Sequence, residues 1–286
     1  MRPRHWAKNL LVFVPLLTAH AYDSEQSVIA AGVAFLCFSL CASGVYFFND
    51  LLDLEADRNH ATKCHRPLAS GALSIPWGIF GAIVLPGSAL ALAGYALSMA
   101  FAGVLAGYFI LTNLYSLFLK RVITADVLAL SVLYMIRVLA GAVAIQVALS
   151  SWLLAFCIFL FISLAYLKRY VELRRKEGGS EKVLGRGYLG ADEQAMFALG
   201  IANGTASVLV FALFVNSPEV SAQYSASEVL WVICLLLIFW TNRMWIAAQR
   251  GYIEDDPVDY AIRDRISQGV GLACLMVVLA ARYISV

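Results

Sequence analysis

A series of nine apolar segments constrains this chain more than any other feature. A hydrocarbon core about 30 Å thick needs roughly 20 apolar residues per crossing helix. Hydrophobic residues make up 61% of the 286 positions and charged residues 14%, which excludes a soluble globular domain. The sequence therefore predicts an all-α polytopic membrane protein with nine transmembrane helices in a single domain over residues 1–286. The segments are 9–22, 27–48, 75–96, 99–119, 122–145, 150–167, 194–216, 226–242 and 266–286.

Positive charge is distributed unevenly between the loops. Of the 21 Lys and Arg residues, 19 lie in the N-terminus or in every second loop. Because Lys and Arg collect in cytoplasmic loops, the N-terminus is expected to be cytoplasmic and the C-terminus to lie outside, which fits nine crossings. The basic loops also carry acidic residues, so we expect them to form one polar cavity at the cytoplasmic face.

An acidic cluster follows the second apolar segment and includes Asn49, Asp50, Asp53 and Asp57. In a helix the three aspartates would share one face. Like charges at this spacing repel unless a cation neutralises them. Carboxylate oxygens suit Mg²⁺, which commonly takes further ligands from phosphates. The pattern therefore predicts a Mg²⁺ site, and the alternative is a solvated helix end.

Three cations follow this cluster closely: Arg58, Lys63 and Arg66. Pro67 and Gly71 break the helix beside them, which leaves the cations able to approach a phosphate. The preference of basic residues for cytoplasmic loops would place them here as well, so both a binding role and a purely topological role stay open.

The loop after the sixth segment begins with Tyr166, Lys168, Arg169 and Glu172 among its residues. Lys168 and Glu172 are i,i+4 neighbours that could pair. Arg169 has no partner at that spacing, and its planar guanidinium suits bidentate phosphate recognition. The run Arg174-Arg175-Lys176 is typical of a solvated patch or one facing lipid headgroups.

Charged residues also occur at a helix start and inside one apolar segment. Asp256 precedes Pro257 and is expected either to cap a helix or to bind a ligand. Asp126 and Arg137 lie within one span, where charges are costly and usually functional. Lys120 and Arg121 lie close to Asp126 in sequence, so Asp126 is either a ligand or an ion-pair partner.

The Asn-Asp-x-x-Asp-x-x-x-Asp pattern at 49–57, after the second of nine helices, resembles the first motif of the UbiA superfamily of intramembrane prenyltransferases. That superfamily has a second aspartate-rich motif, but the equivalent loop here carries Lys168 and Arg169 instead. Together with Arg2-Pro3-Arg4-His5-Trp6-Ala7-Lys8-Asn9 and Asp256-Pro257-Val258, this is similar to the decaprenyl-phosphate phosphoribosyltransferase branch.

The resemblance implies a UbiA-like bundle in a bacterial inner membrane, with a cytoplasmic active site. It implies Mg²⁺-dependent transfer of 5-phosphoribosyl from phosphoribosyl diphosphate to a polyprenyl phosphate, for synthesis of a cell-envelope glycan precursor of the arabinan type. Asn49, Asp50, Asp53 and Asp57 would bind the metal, and the three aspartates with Lys168 and Arg169 would be catalytic. Further substrate contacts would come from Lys8, Asn49, Arg58, Lys63, Arg66, Lys120, Asp126, Arg137, Tyr166, Glu172 and Asp256.

Two alternatives have different sequence signatures. An aromatic prenyltransferase of the same superfamily would use the same first motif but would also need the second aspartate motif. A transporter or lipid scaffold would explain nine helices without metal-dependent binding of phosphoribosyl diphosphate. No nucleic-acid partner is expected, and a homo-oligomer is compatible with the sequence.

Overall fold

The computed structural model describes residues 3–59, 63–175, 186–218, 220, 224–254 and 256–283, with side chains from residue 6 onward. The predicted all-α class is confirmed. Eight helices of the described residues are long and apolar enough to cross a membrane. The α-helices are α1 Val14–Thr18, α2 Glu25–Leu52, α3 Leu54–Arg58, α4 Ile75–Ala96, α5 Met99–Leu117, α6 Ala125–Ala144, α7 Ser151–Arg174, α8 Glu193–Val215, α9 Trp231–Gln249, α10 Pro257–Arg263 and α11 Arg265–Tyr283.

The first predicted segment differs from the others. Residues Pro3–Phe13 form a 3₁₀ helix that continues into the short helix α1, and Pro15 lies in the first turn of α1. The apolar part, Trp6–Thr18, is shorter than the eight spans. A 3₁₀ helix rises about 2.0 Å per residue, so the two pieces together cover roughly 30 Å. The count of nine crossings and the side of the membrane on which each loop lies stay predictions.

Short polar side chains set the starts of several helices. Ser24, Ser98 and Ser150 accept hydrogen bonds from backbone N–H groups in the first turns of α2, α5 and α7. Such caps satisfy donors that a helix cannot pair internally. Asp256 caps α10 through its Oδ1, 3.0 Å from the Val258 nitrogen, with Pro257 at the first helical position. The predicted capping role of Asp256 is confirmed.

The chain divides into two compact units. The first comprises Met1–Leu119 and Ile136–Leu149, and the second comprises Lys120–Met135 and Ser150–Val286. The prediction of one functional domain over residues 1–286 stays a prediction.

In the first unit, α2 is the central element. It packs along α4 and also contacts α5 and the N-terminal 3₁₀ helix. Phe38 of α2 is fully buried and contacts the rings of Phe101 and Tyr108 on α5. The opposite side of α4 exposes apolar side chains such as Ile83, as expected for a lipid-facing surface.

In the second unit, α7 packs along α8, and α9 contacts both. Tyr170, Phe197 and Trp245 form an aromatic cluster between these three helices.

Asp264 lies just before α11 and connects it to α9. Burial would raise the pKa of Asp264, but hydrogen bonds from Ser267 and from Arg243 outweigh this effect and lower that pKa. The ionised carboxylate therefore holds α9 and α11 together.

Close approach of α2 and α4 depends on Gly44. A methyl group at this position would lie 2.4 Å from the ring carbons of Pro86, whereas a methyl group at Gly32 in the same helix would meet nothing within 4 Å. Gly44→Ala is therefore expected to destabilise the protein by about 1–3 kcal/mol through overpacking. Gly32→Ala is expected to be neutral or slightly stabilising. Unfolding of both variants in mixed micelles checks this, and equal stabilities would contradict the packing of α2 against α4.

Candidate functional site

The acidic cluster lies where α2 passes into α3. Asp53 separates the two helices, donating its backbone N–H to the Asn49 carbonyl at 3.0 Å and accepting from the Asp57 nitrogen at 2.8 Å. The chain thus continues in a nearly helical path, as predicted for 49–57. Asp57 is buried, Asn49 and Asp50 are half-buried, and Asp53 is exposed.

Arg66 bridges two of these carboxylates. Its Nη1 lies 3.2 Å from Asp50 Oδ1 and 2.5 Å from Asp57 Oδ2. A single cation therefore contacts both side chains at once. The sequence left a phosphate-binding role open for Arg66, whereas in the structure its side chain contacts the acidic cluster.

Arg66 is positioned by a compact loop. The 3₁₀ turn Lys63–His65 precedes it, and its backbone N–H donates to the Lys63 carbonyl at 2.9 Å. Leu68 is buried just beyond it. Arg58 and Lys63 are exposed on either side of residues 60–62, which lie outside the described residues.

The donor set of this cluster suits a divalent cation. Asp50 and Asp57 place hard oxygen ligands around one cationic nitrogen, so a metal ion could contact both carboxylates. Within the described residues, no group of three or more His, Cys, Asp or Glu side chains converges on one point. The remaining ligands of a metal here would therefore come from Asn49, water or a bound phosphate. The predicted metal role of Asn49, Asp50, Asp53 and Asp57 stays a prediction.

A second polar network lies inside the first unit, around Arg137. Its Nε donates to Asn9 Oδ1 at 2.9 Å and its Nη2 to the Tyr108 hydroxyl at 3.0 Å. Asn9 in turn donates to Ser39 Oγ at 3.0 Å. The network ties the N-terminal 3₁₀ helix to α2, α5 and α6. Lys8 is half-buried next to Asn9.

The second unit contains a closed ring of four alternating charges. Arg169 Nε lies 3.0 Å from Asp126 Oδ2, and Arg169 Nη1 contacts Glu172 Oε2. Arg186 lies 3.4 Å from each of the same two carboxylates. Each cation therefore contacts both anions, and each anion contacts both cations. We call Asp126, Arg169, Glu172 and Arg186 the charge ring.

Burial differs sharply around the charge ring. Asp126 and Arg169 have side chains only 0% and 1% exposed, whereas those of Glu172 and Arg186 are 32% and 19% exposed. One side of the ring is therefore inside the protein and the other reaches the surface. Asp126, for which the sequence allows either a ligand role or an ion-pair role, is an ion-pair partner here.

Lys168 has a different partner from the one that its spacing suggests. Its Nζ lies 2.9 Å from Asp256 Oδ2, while Glu172 contacts Arg169 instead. These two pairs replace the i,i+4 pair of Lys168 with Glu172 that the sequence allowed, and Arg169, which has no acidic residue four positions on, pairs at i,i+3 instead. Arg169 and Glu172 are three residues apart, which also brings side chains together on a helix.

Two residues that the sequence did not single out complete this region. Arg186 closes the charge ring, and Tyr188 accepts a hydrogen bond at 3.1 Å from the backbone nitrogen of Thr124, two residues before Asp126. Burial raises the pKa of Tyr188 to about 12, so its phenol stays protonated at neutral pH. Among the predicted contacts, Tyr166 is buried in the core of this unit and Lys120 is half-buried in the turn Leu119–Arg121.

Comparison with known proteins identifies related sequences. A model described as the UbiA prenyltransferase family matches residues 10–256. An uncharacterized protein of Sinorhizobium fredii, y4nM, is 37% identical over 95% of this chain, which spans about half (53%) of its length. Nodulation protein NoeC of Azorhizobium caulinodans is 34% identical over 96% of this chain and 88% of its own. Decaprenyl-phosphate phosphoribosyltransferase of Mycobacterium tuberculosis is 32% identical over 98% of this chain and 92% of its own.

Solved structures share the fold. A UbiA homolog from Archaeoglobus fulgidus, solved bound to DMAPP and Mg²⁺, superposes with a TM-score of 0.69 at 17% identity, covering 98% of this chain and 96% of that one. The apo structure of a UbiA homolog from Aeropyrum pernix gives a TM-score of 0.65 at 18% identity, with 98% of both chains covered. The predicted UbiA-like architecture is confirmed.

The unequal burial of the charge ring gives a test. Asp126→Asn leaves the buried Arg169 without its innermost carboxylate and is expected to lower the free energy of unfolding by about 3–5 kcal/mol. Glu172→Gln removes a partly exposed charge and is expected to lose about 1 kcal/mol or less. Equilibrium unfolding in mixed micelles measures both, and equal small losses would contradict the buried pair.

Proposed function

The chain belongs to the UbiA prenyltransferase family, and we propose that this integral membrane enzyme transfers 5-phosphoribosyl from phosphoribosyl diphosphate to a polyprenyl phosphate, releasing diphosphate. The carrying observation is the 32% identity to a decaprenyl-phosphate phosphoribosyltransferase over nearly the whole of both chains. The relatives y4nM and NoeC match over similar lengths of this chain but carry no reaction in their names.

The basic pair Lys168 and Arg169 on α7 favours a donor with two anionic ends. Lys168 and Arg169 stand where an aspartate-rich motif would be expected by resemblance to the superfamily. A prenyl diphosphate carries phosphate at one end only. Phosphoribosyl diphosphate carries a diphosphate at one end and a monophosphate at the other, and so does need a second, cationic phosphate site.

Asp50 and Asp57 are proposed to hold the diphosphate end through Mg²⁺, with Asn49 and Asp53 beside them. Bound there, Mg²⁺ would neutralise the charge that develops on the departing diphosphate. In the structure Arg66 holds both carboxylates side by side. Arg66 would contribute to the same site by keeping these like charges together and by offering its guanidinium to a phosphate oxygen.

Lys168, Arg169 and Arg186 are proposed to hold a monophosphate, either the 5-phosphate of the donor or the phosphate of the acceptor. Each of them is already fixed by a carboxylate: Lys168 by Asp256, and both arginines by Asp126 and Glu172. Fixed cations lose little freedom when an anion binds, which favours tight and oriented binding. Arg186 is the more exposed of the two arginines of the charge ring and would be the first to contact a phosphate.

The reaction itself needs positioning more than proton transfer. A bond forms between an oxygen of the acceptor phosphate and the anomeric carbon of the ribose, and the bond from that carbon to the diphosphate oxygen breaks. The acceptor oxygen is already anionic, so no protein nucleophile or general base is required. Holding both reactants in line supplies the rate enhancement that orientation can give.

Replacing Asp50 with Asn keeps the shape of the side chain but removes the charge that is proposed to bind Mg²⁺. Turnover of labelled phosphoribosyl diphosphate with decaprenyl phosphate is expected to fall at least about 10²-fold. Glu55→Gln is the matched control, because Glu55 is exposed on α3 in the same acidic segment. Near-normal turnover of Asp50→Asn at low Mg²⁺ would refute the metal assignment.

Donor choice separates the proposal from aromatic prenylation. Binding of phosphoribosyl diphosphate, measured calorimetrically in detergent, is expected to depend on Mg²⁺, to weaken when the 5-phosphate is removed, and to resist competition by geranyl diphosphate. Arg169→Lys is expected to restore only part of the binding lost in Arg169→Ala, since lysine lacks the planar fork. Tight geranyl diphosphate binding with turnover of 4-hydroxybenzoate, and none of phosphoribosyl diphosphate, would establish the aromatic alternative.

A further inference from the structure

A groove of about 240 Å³ lies in the second unit, where α7 and α9 end. Three arginines line it: Arg174 and Arg175 from the end of α7, and Arg250 from the end of α9. All three side chains are exposed. Glu254 is the acidic residue of the lining. The lining therefore carries a formal charge of +2 over a small area.

Arginines at helix ends often serve only to pair with the terminal carbonyl groups. At the end of α9 those carbonyls already have partners. Gly251 adopts a left-handed φ of +77°, and the N–H groups of residues 250–252 donate to the carbonyls of Ile246, Ala248 and Ala247. The Gln249 carbonyl accepts from Arg174 Nη1. Capping of α9 therefore requires neither Arg175 nor Arg250.

Arg174 has several contacts within the protein, and Arg175 and Arg250 are exposed beside it. The Arg174 guanidinium lies 3.6 Å from Glu193 and 5.8 Å from the centre of the Tyr170 ring. The floor of the groove is apolar. It is formed by Val171, Ala248 and Ile253, whose side chains are each at most 3% exposed. Cationic walls above an apolar floor suit an amphiphile with an anionic head better than a fully hydrated anion.

The groove lies at the level expected for lipid headgroups. Both α7 and α9 belong to spans that are long and apolar enough to cross the membrane, and these spans end at Arg174 and Gln249. Ile246, one turn before Arg250, is 48% exposed, and Tyr252 beside the groove is 63% exposed. Apolar surface below and an exposed tyrosine at the boundary are typical of a membrane interface.

The groove is also distinct from the charge ring. Arg169 and Arg174 are five residues apart on α7, which places them about 140° apart around the helix axis. Arg169 contacts Asp126 and Glu172, whereas Arg174 contacts Gln249 and Glu193. A ligand in the groove therefore does not use the cations of the charge ring.

We propose that this groove is a binding site for the phosphate headgroup of an anionic phospholipid. Arg175 and Arg250 contact the phosphodiester, Arg174 supplies a fixed third charge, and the glycerol backbone rests on the apolar floor. The acyl chains continue along the exposed apolar side of α9 at Ile246. The site is independent of the proposed transferase reaction, since it involves none of the residues assigned to that reaction.

The test uses the full chain in neutral detergent, with native mass spectrometry to measure retention of phosphatidylglycerol against phosphatidylcholine. Wild-type protein is expected to retain phosphatidylglycerol selectively. The double variant R175Q/R250Q is expected to bind it roughly 30-fold more weakly, because each cation near an anionic headgroup contributes about fivefold. R121Q is the matched control, since Arg121 is an exposed arginine of the same unit outside the groove.

Inorganic phosphate at millimolar concentration forms the second arm, and it is expected not to displace the lipid. Displacement by inorganic phosphate would show a site for free phosphate and overturn the lipid assignment. Equal phosphatidylglycerol binding by wild type and R175Q/R250Q, or an equal loss in R121Q, would also overturn it. If the double variant does not fold, R250Q alone replaces it, with an expected fivefold loss and an unfolding midpoint equal to that of R121Q.

Discussion

The cost of placing charge in an apolar helix determines how the buried charged residues of this protein are arranged. Asp126 and Arg169 lie on helices that are apolar enough to cross a membrane, and both are almost completely buried. An isolated buried charge is strongly unfavourable, so each must be paired. In the charge ring each of them has two partners. Asp126 contacts Arg169 and Arg186, and Arg169 contacts Asp126 and Glu172. Arg186 is thereby held against α6 and α7, beside Arg169.

The same requirement acts in the first unit by two different routes. Asp50 and Asp57 are paired with a cation, because Arg66 lies between them and contacts both carboxylates. Arg137 instead uses neutral oxygens of Asn9 and Tyr108, and the face of the Tyr108 ring lies 4.8 Å from its guanidinium carbon. A cation over an aromatic face is attracted by the negative charge density of the ring. The first arrangement holds two carboxylates side by side, and the second fastens the N-terminal helix to the rest of its unit.

Composition and length were enough to predict the spans, because about 20 apolar residues in a row have few other uses. The predicted segment 75–96 coincides with α4, and 99–119 nearly coincides with α5. The N-terminal segment was harder to predict, since it is short and Pro15 interrupts it. Charge pairing was predicted least well. Arg186 is 60 residues from Asp126 and 14 from Glu172, and Asn9 is 128 from Arg137. Such partners are set by packing and loop path, and no local spacing indicates them. An arginine inside an apolar span needs a partner, so Arg137 was the available sign that a polar residue such as Asn9 contacts it.

The closed form of the charge ring has a consequence for how anionic ligands arrive. Two positive and two negative charges in alternation sum to zero, and their combined field decays much faster with distance than that of a single ion. The attraction of Arg169 and Arg186 for a distant phosphate is therefore largely cancelled by the repulsion of Asp126 and Glu172. In the proposed reaction, electrostatic steering, which raises association rates and weakens in salt, would come from exposed cations such as Arg58 and Lys63. The charge ring would act only at contact range, so it would affect how long a bound phosphate stays and hardly change how fast it arrives.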